Sequence, residues 1–161
     1  MAEENLADKM IEELKLEAED KIKHMGLPIL HQPKLDDLLF PDELATETDE
    51  LIDGLYDKFT LALQWSHYCE ELIGAELDIA TYKQELNMNL KMAQSVEKRK
   101  DLMVAKIVTD DKPTRDWNDI MKTLKVQGKL IKGLSKGYQS VVRRIQSEKI
   151  DRASRRKFGI L

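Results

Sequence analysis

From Thr48 to Lys112 the chain contains no proline, and Ile52, Leu55, Phe59, Ala62, Cys69, Ile73, Leu77 and Ala80 recur along it at helical intervals. That spacing builds one apolar stripe down a single helix. A helix of about 60 residues extends roughly 90 Å, too long to wrap a globular core in a chain of 161 residues. The "TDE" at Thr48 offers an N-cap followed by acids in the first turn, where the helix dipole favours negative charge. Past Thr81 the stripe blurs into "KQELNMNLKMAQSVEKRKD".

A further helix is predicted after Pro113, with Thr114 as its N-cap and Trp117, Ile120, Leu124, Ile131, Leu134, Tyr138, Val142 and Ile145 on one face. The simplest fold for two such helices is all-α: a long antiparallel helical hairpin or coiled coil whose seams continue across subunits of an oligomer. An N-terminal helix is predicted over about residues 3–25, with Leu6, Met10, Leu14, Ala18 and Ile22 in register and Gly26 and Pro28 as its stop. Charged residues make up 35% of the chain and aromatics 6%, a composition that suits a helix-rich protein with a thin core.

Between these helices lies "GLPILHQPKLDDLLFPDELATETDEL", broken by Pro28, Pro33 and Pro41. Its acids alternate with Leu35, Leu38, Leu39 and Phe40, which suits a segment that docks on a partner better than a solvated linker. The expected organisation is an acidic helix and linker arm over 1–47, a helical hairpin domain over 48–150, and a basic, flexible tail over 151–161.

The net charge of −4 hides a steep gradient. Residues 1–60 hold six Lys/Arg against seventeen Asp/Glu, a net of −11, whereas residues 112–161 hold fourteen against four, a net of +10. Such asymmetry predicts an electrostatic partner for each end. No acid occurs between Asp119 and Glu148, while seven Lys/Arg do. Lys122, Lys125, Lys129, Lys132, Lys136 and Arg143 share a narrow arc opposite the apolar face. Solvated helix faces normally interleave both signs, and a one-sign stripe self-repels unless something anionic meets it. Arg144, Lys149, Arg152, Arg155, Arg156 and Lys157 extend the footprint, and Lys98, Arg99 and Lys100 near the hairpin turn are additional candidate contacts.

A membrane surface would need the apolar face that the hairpin seam uses, so nucleic acid is the expected anion. No helix-turn-helix or zinc-finger signature is present, and single strands, DNA or RNA, fit a basic surface with stacking aromatics. Tyr138, Tyr82 and Phe158 are the aromatic candidates, with Tyr138 also on the core face. The acidic arm is expected to compete with phosphate for the basic face, to dock a partner, or to pack on the hairpin.

The residues offer little for catalysis. His24, His31, His67 and the single Cys69 have no zinc spacing. In "GKLIKGLSKG" Leu134 stands where a phosphate-binding loop needs Lys, and Gly133 and Gly137 are read as close helix-packing points. No catalytic constellation, cofactor motif or metal site is expected, and the protein is read as a non-enzyme. The lone cysteine, the acidic N-terminus and the lack of a long apolar run fit a reducing, cytoplasmic location without a membrane span.

The segment "LYDKFTLALQWSHYCEELIGAELDIATYKQELNMNLKMAQS" runs from a tyrosine- and tryptophan-bearing helix start into a long charged helix, and a second helix then ends in a basic tail. Over about residues 51–158 that order resembles the phage recombination mediators related to UvsY. The resemblance implies a ring-forming, homo-oligomeric helical protein in the cytoplasm of the infected host. It would bind single-stranded DNA and help load a RecA-like recombinase onto DNA covered by single-strand-binding protein. The acidic arm departs from that pattern. The alternative is a phage structural or assembly protein, a capsid scaffold or tail-assembly coiled coil whose basic helix meets an acidic protein. A third reading is an adaptor that docks through "LDDLLFPDEL".

Overall fold

A computed structural model describes residues 6–87 and 112–159 of the chain. Three α-helices account for most of them: α1 over Leu6–His24, α2 over Asp49–Asn87 and α3 over Lys112–Lys157. Two short 3-10 turns, Leu35–Leu38 and Leu44–Thr46, interrupt the linker. No strand occurs among the described residues, and no helix among them is long and apolar enough to cross a membrane.

The helix ends follow local chemistry. Gly26 takes a φ of 76°, a left-handed conformation that costs glycine little. There its N–H bonds the Lys23 carbonyl at 2.9 Å and the Leu27 N–H reaches back to Ile22 at 3.2 Å, a Schellman ending that satisfies the last carbonyls of α1. At the start of α2, the Leu51 N–H donates to Thr48 Oγ1 at 3.3 Å, so Thr48 is the N-cap. Helix α3 begins at Lys112, with Pro113 and Thr114 already inside its first turn rather than ahead of it. First-turn N–H groups have no partner within the helix, so proline there sacrifices no bond. The expected continuation of α2 beyond Asn87 lies outside the described residues.

The chain divides into two compact units, Met1–Ile29 with Glu70–Lys129, and Leu30–Cys69 with Leu130–Leu161. In the first, Leu14 of α1, Ala80 of α2, and Ile120 and Leu124 of α3 form the buried cluster, with Met10, Ile73, Leu77 and Trp117 around it. A Cβ placed on Gly128 would lie 3.6 Å from Ile73, so this glycine marks a close approach of α3 to α2 in this unit. Lys83 bonds Glu17 at 2.6 Å and ties α1 to α2. The N-terminal helix is therefore part of a folded core, not an arm. Its acids occupy the outer face, while Leu14, Ala18 and Ile22 are buried.

In the second unit Ile52, Leu55 and Phe59 of α2 meet Val142 and Ile145 of α3, and Leu44 of the linker completes the cluster. Phe40 packs edge-on to Phe59 with ring centroids 5.7 Å apart, and Phe59 meets Tyr138 at 6.2 Å. A buried hydroxyl pair joins the two helices, the Ser135 hydroxyl donating to Ser66 Oγ at 2.9 Å. Within each unit α2 and α3 pair antiparallel, as the periodicity predicts.

Two expectations change. Ile52, Leu55, Phe59, Ala62 and Ala80 of the α2 stripe are buried within the single chain rather than left for neighbouring subunits to cover, so the stripe supplies no argument for an oligomer. Gly133 and Gly137 have no neighbour within 4 Å of a built Cβ. They lie open, and Gly128 is the glycine at which two helices come close.

Candidate nucleic-acid interface

The long apolar seam of α3 faces its partners, and the cations set opposite it by the 3.6-residue period point to solvent. Lys122, Lys125 and Lys129 in the first unit are exposed, as are Lys132, Lys136, Arg143 and Arg144 in the second. Among the described residues the first six form no ion pair, and Arg144 sits over the Phe40 ring, its guanidinium carbon 5.1 Å from the centroid.

The later cations are arranged differently. Helix α3 continues unbroken to Lys157, so the segment expected to be a flexible tail is helical there. Lys149 bonds Asp53 at 2.7 Å and lies 4.8 Å from the Tyr56 ring centroid. Arg152 is a hub: it reaches Asp49 at 2.9 Å and Glu148 at 2.7 Å, and its Nη2 donates to the carbonyls of Leu44 and Glu47 at 2.9 and 2.8 Å. Its side chain is only 14% exposed. Arg156 also pairs with Asp49, and Arg155 pairs with Asp151 at 2.7 Å one turn back. The hydrogen bonds from Arg152 and Arg156 hold the Asp49 carboxyl below its usual range, and the bonds that Arg152 donates to Glu148 and Asp49 raise its guanidinium. The bond to Asp53 likewise raises Lys149. These four cations neutralise the chain's own acids, which removes them from a footprint that needs free charge. Lys157 is exposed without an ion pair among the described residues. Lys98, Arg99 and Lys100 lie outside those residues.

The four apolar residues of the linker separate into two roles. Leu38 and Phe40 pack on the core of the second unit, whereas Leu35 and Leu39 are 77% and 75% exposed. A four-residue docking face is thus reduced to two residues. Among the aromatics, Tyr138 joins the core cluster, and burial raises its hydroxyl pKa. Tyr82 and Phe158 are exposed, at 55% and 73%.

A feature not anticipated from the sequence is an open groove of about 910 Å3 between the linker and α3 in the second unit. Asp42 and Glu43 line the linker side, and Lys136, Ser140, Arg143 and Ser147 line the helix side. The apolar pair Phe40 and Leu44 was the available signal: two inward anchors four residues apart force the intervening acids outward, alongside whatever surface the anchors dock on.

No carboxylate of α3 stands between the cations from Lys122 to Arg143, while Glu148 and Asp151 at the far end of the groove are paired with Arg152 and Arg155. A face of this charge favours an anion over a cation. No known protein family, curated protein or solved structure matches the chain.

Proposed function

We propose that the chain is a non-enzymatic, homo-oligomeric protein that binds single-stranded DNA and acts as a recombination mediator. The observation that carries this reading is the set of exposed, unpaired cations from Lys122 to Arg143 in a chain of net charge −4 that neutralises its neighbouring cations internally. A protein able to pair Lys149, Arg152, Arg155 and Arg156 while leaving six others open keeps those six for an anionic partner. The likeness to the UvsY-related mediators supplies the rest: a ring of subunits in the host cytoplasm that helps load a RecA-like recombinase onto DNA covered by single-strand-binding protein.

Fluorescence anisotropy with a labelled single-stranded oligonucleotide over a salt series tests the reading. The expected result is binding at physiological salt. Lys132→Ala, Lys136→Ala and Arg143→Ala should each lower the log–log salt slope by about 0.7, the value for one phosphate neutralised on a single strand. A second reading, a phage assembly protein, is favoured by one observation. Leu130 and Leu134, one turn apart on α3, are 69% and 39% exposed, an apolar ridge on a positively charged helix that suits an acidic amphipathic protein. Failure to bind any nucleic acid at physiological salt selects that reading.

A further inference from the structure

The groove of the second unit is held open by two ties. On one side the Arg144 guanidinium lies over Phe40, 5.1 Å from its centroid. On the other, Arg152 Nη2 bonds the Leu44 carbonyl at 2.9 Å. Asp42 and Glu43 lie between these ties, without an ion pair among the described residues, although Lys136 and Arg143 line the same groove. Acids and cations that share a groove without closing on each other leave room for a ligand that satisfies both.

A nucleotide has that dual chemistry. Its phosphate accepts from Lys and Arg, while the edge of an unstacked base offers donors. A carboxylate accepts only, so it selects bases by their N–H groups. Guanine presents N1–H and the N2 amine side by side, matching both oxygens of one carboxylate. Thymine presents a single N3–H between two carbonyl oxygens, which a carboxylate repels.

We infer that this groove receives one nucleotide of a bound single strand, its phosphate on Lys136 and Arg143 and its base edge toward Asp42 and Glu43, and that it prefers guanine to thymine. The inference rests on the single-strand reading and adds base selectivity to it. A good bidentate pairing discriminates between bases by about tenfold or more.

The test uses the full chain and three labelled strands of equal length: all thymine, thymine with guanine at every third position, and the same strand with hypoxanthine for guanine. Guanine is expected to bind about tenfold tighter than thymine. Hypoxanthine, which keeps N1–H and lacks the amine, falls between them. The paired substitution Asp42→Ala, Glu43→Ala leaves the anchors Phe40 and Leu44 untouched, and circular dichroism checks that the fold is kept. It is expected to abolish the preference. Equal binding to all three strands overturns the inference and leaves the single-strand reading standing. So does a variant that tightens every strand alike, since the acids would then only repel phosphate. Absence of binding to any strand overturns both.

Discussion

Arg152 and Asp49, 103 positions apart, are joined at 2.9 Å, and the same guanidinium holds the linker carbonyls of Leu44 and Glu47. One side chain thus secures the start of α2, the linker before it and the last turns of α3. Arg152→Ala removes every one of these bonds and leaves Asp49 with Arg156 alone. Its melting temperature is expected to fall well below that of Arg155→Ala, whose Asp151 partner lies one exposed turn away on the same helix. Equal melting temperatures would show that the hub contributes no more than a surface pair.

The paired and unpaired cations separate in binding. Substituting Lys149 and Arg156 by Ala is expected to leave the salt dependence of single-strand binding unchanged, because those charges are already engaged by Asp53 and Asp49. Substituting Lys132 and Lys136 is expected to lower it. Titrations of the two double variants side by side provide the check.

Counting 100° per residue along α3 places Lys149, Arg152 and Arg156 on the side of Val142 and Ile145, not on the side of Lys132, Lys136 and Arg143. Charge counting alone merges the two sets, and the angle distinguishes them. The caps at Gly26 and Thr48 and the antiparallel seam are also legible in the sequence, because they depend on neighbours a few residues apart or on a long repeat. The place of α1 is obscured by its acids, which outnumber the three buried residues Leu14, Ala18 and Ile22. The spacing of Phe40 and Leu44 signals only that Asp42 and Glu43 face outward; the groove itself depends on where those anchors land on a helix about a hundred residues away, which the sequence does not show.

Glu76 makes the first unit sensitive to pH. It is 4% exposed, and burial pushes its carboxyl from 4.5 up to about 7, opposed by Lys15 and reinforced by Glu12 and Glu19 of α1. A carboxyl with a raised folded pKa binds its proton more tightly in the folded chain, so its contribution is complete below about pH 4.5 and lost as pH climbs through 7. The full span amounts to about 3 kcal/mol. Glu76→Gln is expected to be more stable than the parent at pH 8 and to flatten the fall in melting temperature between pH 5 and 8. Parallel curves for the two proteins would contradict this.

Deleting residues 1–25 tests the role of α1. Loss of Leu14, Ala18 and Ile22 uncovers Ala80, Ile120 and Leu124, so the melting temperature is expected to drop and a hydrophobic dye to bind. An acidic arm acting only as an electrostatic competitor would leave both measurements unchanged.

In the core of the second unit, Phe59→Ala is expected to cost about 3–5 kcal/mol, since the ring bridges Phe40 and Tyr138. Ser66→Ala is expected to cost about 1 kcal/mol by removing the acceptor of the Ser135 hydroxyl, and urea unfolding of both variants measures the difference.

The clasp between Asp49 and Arg152 also sets a timetable. A ribosome adding 5–20 residues per second takes roughly 5–20 s to make the 103 residues between them. For most of that interval, from the synthesis of Phe59 until that of Val142, the α2 half of this core has been made and the α3 half has not, so half of one core waits, uncovered, for the other. A chain built this way exposes apolar surface for longer the more slowly it is translated, which favours aggregation of the unfinished chain.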